Sequence, residues 1–214
     1  MPSDGFLRAR RPEQKQQRRE SILAAARSLA REHGVRRVTL GSVADAVGLA
    51  KSNVIRYFGT REEIFLVLAA EDWEEWRREV AARLDAGDEA IGALAESLAE
   101  RPLFCDLLSQ AATILEHNIS LEAARTYKLA VLTAISSLST QVARARPGLT
   151  EGECTDLVST AGALAGMLYP MATPPPVLAE LYAQEPRLAA VRPPLLPTLR
   201  RTLSALAAGL PAVR

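Results

Sequence analysis

A chain of 214 residues with 48% hydrophobic content carries enough apolar mass for a packed core, which excludes disorder as the default, and its few aromatics point to an all-α fold. Cys105 and Cys154 stand 49 positions apart with no CxxC or Cys/His ligand spacing, so neither a disulfide scaffold nor a metal site is indicated, and no cofactor is expected. The net charge of +1 hides an asymmetry: residues 1–60 hold 12 Lys/Arg against 5 Asp/Glu, while the rest hold 14 against 20, as in a polyanion-binding module joined to a different domain.

Residues 1–17, with Arg8, Arg10, Arg11 and Lys15 among Pro and Gln, are expected to form a flexible basic arm. The arm has no apolar h-region, so no secretory signal is expected and a cytoplasmic location follows. Helical spacing begins near residue 18, where Ile22, Ala26, Leu29 and Ala30 recur on one face and Gly34 supplies a C-cap. Thr39 caps a short second helix with Leu40, Val43, Ala44 and Val47 turned inward, and Gly48 ends it. A third helix spans about 50–58, and Thr60-Arg61-Glu62-Glu63 is a capping-box pattern opening a long fourth helix to about Gly87. Further helices are expected over 88–99, 102–116, 121–144, 151–169 and 197–209, with a minor piece at 177–185. The uncharged stretch 157–179 has the length of a membrane span, but Pro170, Pro174, Pro175 and Pro176 break it, so no membrane association is expected.

Leu40 to Phe58, LGSVADAVGLAKSNVIRYF, meets the demands of a helix-turn-helix: Ala44 is small where two helices cross, Gly48 fits a positive φ, and Val43, Val47, Leu49 and Val54 lock the second helix down. Together with Gly34, Thr39, Lys51, Tyr57-Phe58 and Arg61-Glu62, this segment resembles the N-terminal domain of TetR-family regulators over about a third of the chain. Ala50 and Ile55 depart from the family pattern, which favours Ser or Thr and Tyr there; losing the first removes a cap worth about 0.5 to 2 kcal/mol.

The resemblance implies a DNA-binding head over 18–60, a ligand-binding and dimerisation body over 61–214, and a homodimeric repressor released from a pseudo-palindromic double-stranded operator by a small apolar or amphipathic effector. Lys51, Ser52 and Asn53 head the recognition helix; Lys51 suits guanine and Asn53 adenine, and either is a base reader. Arg56 lies later on the same helix, and Tyr57 either donates to a phosphate or packs beside Phe58. Thr39 with the amides of the second helix, and Arg61, are expected phosphate contacts. Arg36 and Arg37 are either backbone contacts or a solvated loop, and the arm arginines either touch DNA or form a basic tail.

In the body, Trp73, Trp76, Phe104, Leu108, His117, Asn118, Tyr127 and Met167 are candidate effector contacts, with core packing the competing role for both tryptophans. Leu157, Ala161, Leu164, Ala165 and Leu168, then Leu203, Leu206 and Leu210, are candidate dimer contacts, with Gly162 and Gly166 in GxxxG spacing; packing inside one subunit is the alternative. An activator or architectural DNA-binding protein without a sensor is a second reading. An all-α enzyme would need Glu116-His117 with Asp106 or Cys105, a set that matches no catalytic spacing, so no enzymatic activity is expected.

Overall fold

The computed structural model describes residues 4–214, with side chains described from residue 12 onward. Helix α1 (Asp4–His33) begins well before the expected start at residue 18, so the stretch expected to be an arm continues it as helix. Its residues after Pro12 are Glu, Gln, Lys and Arg, strong helix formers, and Gln16 donates to Glu20 one turn on. The side chains of Arg8, Arg10 and Arg11 lie outside the described residues. Where α1 becomes apolar, Ile22, Leu23, Ala26 and Ala30 turn into the core.

A 3₁₀ turn at Val35–Arg37 leads to α2 (Leu40–Ala46), which Thr39 caps in a box with Ser42: each side chain accepts the other's backbone N–H at 3.0 Å. Gly48, at φ 64, turns the chain so that the Leu49 amide reaches back to the Ala44 carbonyl at 2.9 Å. Helix α3 (Lys51–Phe58) follows, uncapped at Ala50 as the missing hydroxyl requires.

Helix α4 (Arg61–Asp85) opens on half of the expected box. Thr60 Oγ1 accepts from the Glu63 amide at 3.2 Å, but the Glu63 carboxylate accepts from the Ser120 amide at 2.8 Å instead of reaching back. The body continues through α5 (Ala90–Ala99), α6 (Pro102–Gln110), a π-helical turn (Ala111–Leu115), α7 (Leu121–Ala145), α8 (Glu151–Ala172), α9 (Pro176–Gln184), α10 (Pro186–Ala190) and α11 (Leu195–Gly209). No strand occurs among the described residues. Helix α8 runs a turn past the expected stop, because Pro170 near the C-terminus removes one hydrogen bond without ending the coil.

α4 packs on α7, α8 lies between α6 and α7, and α11 closes over α5 and α8. The centre is aromatic: Trp73 meets Trp76 and Phe104 edge-on with centroids 5.4 Å away in each case, and Trp76 Nε1 donates to Ser97 Oγ at 2.9 Å. Small residues on α8 make room for it. A Cβ on Gly162 would sit 2.9 Å from Trp73 Cη2, and one on Gly166 would sit 2.9 Å from the Leu108 carbonyl carbon. The GxxxG spacing therefore serves helix approach inside one subunit.

Candidate nucleic-acid interface

Helix α3 turns only Val54 and Phe58 fully into the core; Lys51, Ser52, Asn53, Ile55 and Arg56 face solvent, and Tyr57 is half-buried. No acidic residue lies on this helix. The outward face is thus two cations, two small polar side chains and one isoleucine, carried on a rod whose orientation Val54 and Phe58 fix. Phe58 is itself covered by Arg19 of α1, whose guanidinium carbon stands 4.3 Å from the ring centroid.

Lys51 lies across the start of α2. A Cβ on Gly41 would stand 3.0 Å from Lys51 Cε and 3.4 Å from its Nζ, with Thr39 Oγ1 3.5 Å off. An ammonium beside the positive end of a helix gains nothing from it, and that pairing suits an anion bridging both. Arg36 and Arg37, on the 3₁₀ turn, are exposed.

Arg61 departs from its expected role. Its guanidinium points inward, donating from Nε to the Val38 carbonyl and from Nη2 to the Val35 carbonyl, and its carbon lies 4.7 Å from the Phe65 ring centroid. With Nε and Nη2 on backbone carbonyls and Nη1 on Glu62 at 3.2 Å, it clamps the 3₁₀ turn to α4.

The opposite side of that turn is held by a residue that sequence reasoning weighed only as a catalytic candidate. Asp106 Oδ2 on α6 accepts from the buried Val35 amide at 2.7 Å, and Gln110 Nε2 steadies the other oxygen at 2.8 Å. Arg27 of α1 reaches Asp72 at 2.6 Å and Glu71 at 2.9 Å on α4. Burial pushes the Asp72 carboxyl above its ordinary range, with Arg27 opposing. These pairs join head to body. Cys105 is in the core, its Sγ donating to the Leu98 carbonyl at 3.2 Å, and burial pushes its thiol up to about 12. His117 is exposed, and no hydrogen bond or ion pair among the described residues joins it to Cys105 or Asp106.

The eight expected effector contacts do not line one cavity. Trp73 and Trp76 belong to the closed aromatic core, and Leu108 is half-buried against α8. His117, Asn118 and Met167 are exposed, Met167 at 67%, because the turn after α6 and the outer face of α8 both point to solvent. Phe104 edges a polar cavity of 560 Å³ between α1, α4 and α6. Tyr127 lines a different cavity, of 610 Å³, between α4 and the start of α7, whose floor of Leu66, Val67, Ala70 and Ala123 was missed. Alternate turns of α4 feed two different surfaces, and a single apolar stripe in the sequence does not separate them.

The eight residues expected at the dimer contact divide between full and partial burial. Leu157, Ala161, Ala165, Leu168 and Leu203 are buried within the subunit, and Leu164, Leu206 and Leu210 are half-buried. The five buried ones pack α8 and α11 on the core, and Leu164, Leu206 and Leu210 keep part of their surface outward.

A short helix pair joined by a tight glycine turn, presenting a basic outer face and mounted on an all-helical body, defines a helix-turn-helix transcriptional regulator. The family profile described as "Bacterial regulatory proteins, tetR family" matches residues 22–68, and that described as "Tetracyclin repressor-like, C-terminal domain" matches residues 70–214. The chain belongs to the TetR family.

Solved structures agree in fold. The fatty acid degradation regulator FadR from Bacillus halodurans is 12% identical, with 89% of this chain and 98% of that one covered at a TM-score of 0.56. The Thermus thermophilus FadR, a TetR family repressor solved with lauroyl-CoA, is 21% identical, with 89% and 93% covered at 0.52. A TetR/AcrR family regulator from Thermobifida fusca is 18% identical, with 90% and 98% covered at 0.51. No curated protein matches the sequence.

Proposed function

We propose that this chain is a cytoplasmic repressor that binds a pseudo-palindromic DNA operator as a homodimer and is released when a small molecule occupies its body. The observation that carries the DNA assignment is the outer face of α3 with Lys51 drawn across the start of α2. In this reading Lys51 and the α2 amides grip phosphate, Ser52, Asn53 and Arg56 approach base edges, and Tyr57, half-buried beside Phe58, borders the contact. Two heads spaced about 34 to 36 Å apart would enter successive major grooves.

The sensor assignment is supported by cavities between helices of the body and by the lauroyl-CoA held by the Thermus thermophilus relative. Linkage requires that an effector bind the released state more tightly than the DNA-bound one.

Selection of the full chain on a random duplex library tests the reading. Two related half-sites about 10 base pairs apart are the expected product. Lys51→Glu, with an unchanged melting temperature, is expected to weaken binding to the selected duplex by two orders of magnitude or so, roughly 2.7 kcal/mol. Recovery of no enriched sequence, or full affinity in that variant, would overturn the DNA assignment.

A further inference from the structure

The 610 Å³ cavity lies along one side of α4, with Tyr57 and Phe58 of the head at one end and the first turns of α7 as the facing wall. Its size falls in the range of drug-sized ligand sites, about 300 to 1,000 Å³. The floor is apolar, the phenol ring of Tyr127 is buried in it, and the Trp73 side chain is buried next to that phenol.

The charges around it are one-sided. Five carboxylates line the cavity, from Glu63, Glu71, Glu74, Glu75 and Glu122, against the guanidinium groups of Arg19 and Arg78. Glu71, Glu74 and Glu75 are each bridged to an arginine behind the wall, namely Arg27, Arg77 and Arg101. Arg78 stands 3.6 Å from Glu74, and Arg19 lies over the Phe58 ring. Glu63 and Glu122, on opposite walls, have no lysine or arginine within ion-pair distance among the described residues; Glu63 accepts only the Ser120 amide. An anion entering here meets five carboxylates against two guanidinium groups. An apolar molecule bearing positive charge finds an apolar floor, aromatic faces and two carboxylates that no lysine or arginine pairs among the described residues.

We propose that this groove binds a hydrophobic cation. The inference rests on the regulator reading only for its consequence, because an occupant would touch Tyr57 and Phe58 and so bear on the seat of the recognition helix. The site adjoins the Trp73–Trp76–Phe104 core through Tyr127, and its ligand class is set by Glu63 and Glu122 rather than by the body's aromatic content.

Tetraphenylphosphonium and tetraphenylborate share a four-phenyl shell and differ in the sign of their charge, so they isolate the electrostatic claim. Calorimetric titration of the full chain is expected to show one phosphonium site per chain, with borate binding at least tenfold weaker. The double variant Glu63→Gln/Glu122→Gln keeps the acceptor for the Ser120 amide and is expected to lose phosphonium affinity about tenfold, roughly 1.4 kcal/mol, while borate gains. Val67→Trp fills the floor and is expected to abolish binding of both ions, with thermal melts and circular dichroism reporting that each variant is folded. Equal affinity for the two ions, or wild-type phosphonium affinity in folded variants, overturns the proposal. Operator affinity measured in the same samples separates the two readings: phosphonium bound with unchanged operator affinity leaves the groove assignment standing and removes its regulatory role, whereas intact operator binding without phosphonium uptake removes the groove assignment alone.

Discussion

Glu153 occupies the N3 position of α8 and is contacted from three directions: the Thr150 amide at 2.7 Å, the Thr150 hydroxyl at 3.0 Å and the Arg214 guanidinium at 2.7 Å through each oxygen. Arg214 comes first in effect and Thr150 second, and together they hold the carboxyl at about 2, below its ordinary 4.5. A depressed folded-state value contributes stability that is complete above the unfolded value and is lost as pH falls toward the folded one. Arg214→Ala is therefore expected to lower the melting temperature at neutral pH, with the gap from wild type closing as pH drops from about 4.5 to about 2. A gap independent of pH would show that Arg214 acts only through the Gly148 carbonyl, which it also reaches at 2.9 Å. The Thr150-to-Glu153 box was legible in the sequence because both partners sit three residues apart. Arg214, 61 positions on, was not, and neither was the bond from Asp106 to Val35 across 71 positions. Local spacing encodes caps; side-chain bonds between distant elements depend on how helices pack, which no short motif records.

Helices were legible for the same reason, since each apolar stripe and cap is a local signal, and the order from α2 through α8 follows the expected one closely. What a stripe cannot say is which partner it meets. Gly162, Gly166, Leu157 and Ala161 announce close approach, and the approach turned out to be to Trp73 and Leu108 of the same chain. The surface that does stay uncovered lies elsewhere: α9 and α10 have no buried residue, leave Val177, Leu178, Leu181, Leu188 and Val191 exposed, and are framed by Pro174 to Pro176 and by Pro193 and Pro194. Helices of nine and five residues are unstable without tertiary burial. In the homodimer reading, this hairpin and the exposed Met167 and Met171 of α8 beside it supply the covered area that the buried stripe does not. Leu181→Asp/Val191→Asp is expected to raise the dimer dissociation constant by tenfold or more in analytical ultracentrifugation while the helical circular dichroism of the body is retained. An unchanged dimer would place the interface on another face.

Across the whole molecule the net charge is unevenly divided. The head-bearing segment is basic and the remainder acidic, so a duplex approaching from the body side is repelled and one approaching α3 is attracted. That division makes salt dependence the sharpest probe of which cations meet phosphate, because each neutralised phosphate contributes about 0.9 to the slope of log affinity against log salt concentration. Lys51, expected as a base reader and here proposed to grip phosphate, is exposed beside the start of α2, whereas Arg61, expected at a phosphate, has donors engaged on the Val35 and Val38 carbonyls, so the two part company. A dimer that loses one phosphate contact per head has a slope shallower by about 1.8, and Lys51→Ala is expected to show that change. Arg61→Ala is expected to leave the slope where it was and instead to lower the melting temperature, since the 3₁₀ turn loses its clamp to α4 and keeps only the Asp106 bond on its other side. A reduced slope in Arg61→Ala at unchanged stability would mean that the guanidinium swings outward on binding, and the turn from Val35 to Val38 would then be a part of the interface that reorganises when DNA arrives rather than a fixed hinge between head and body.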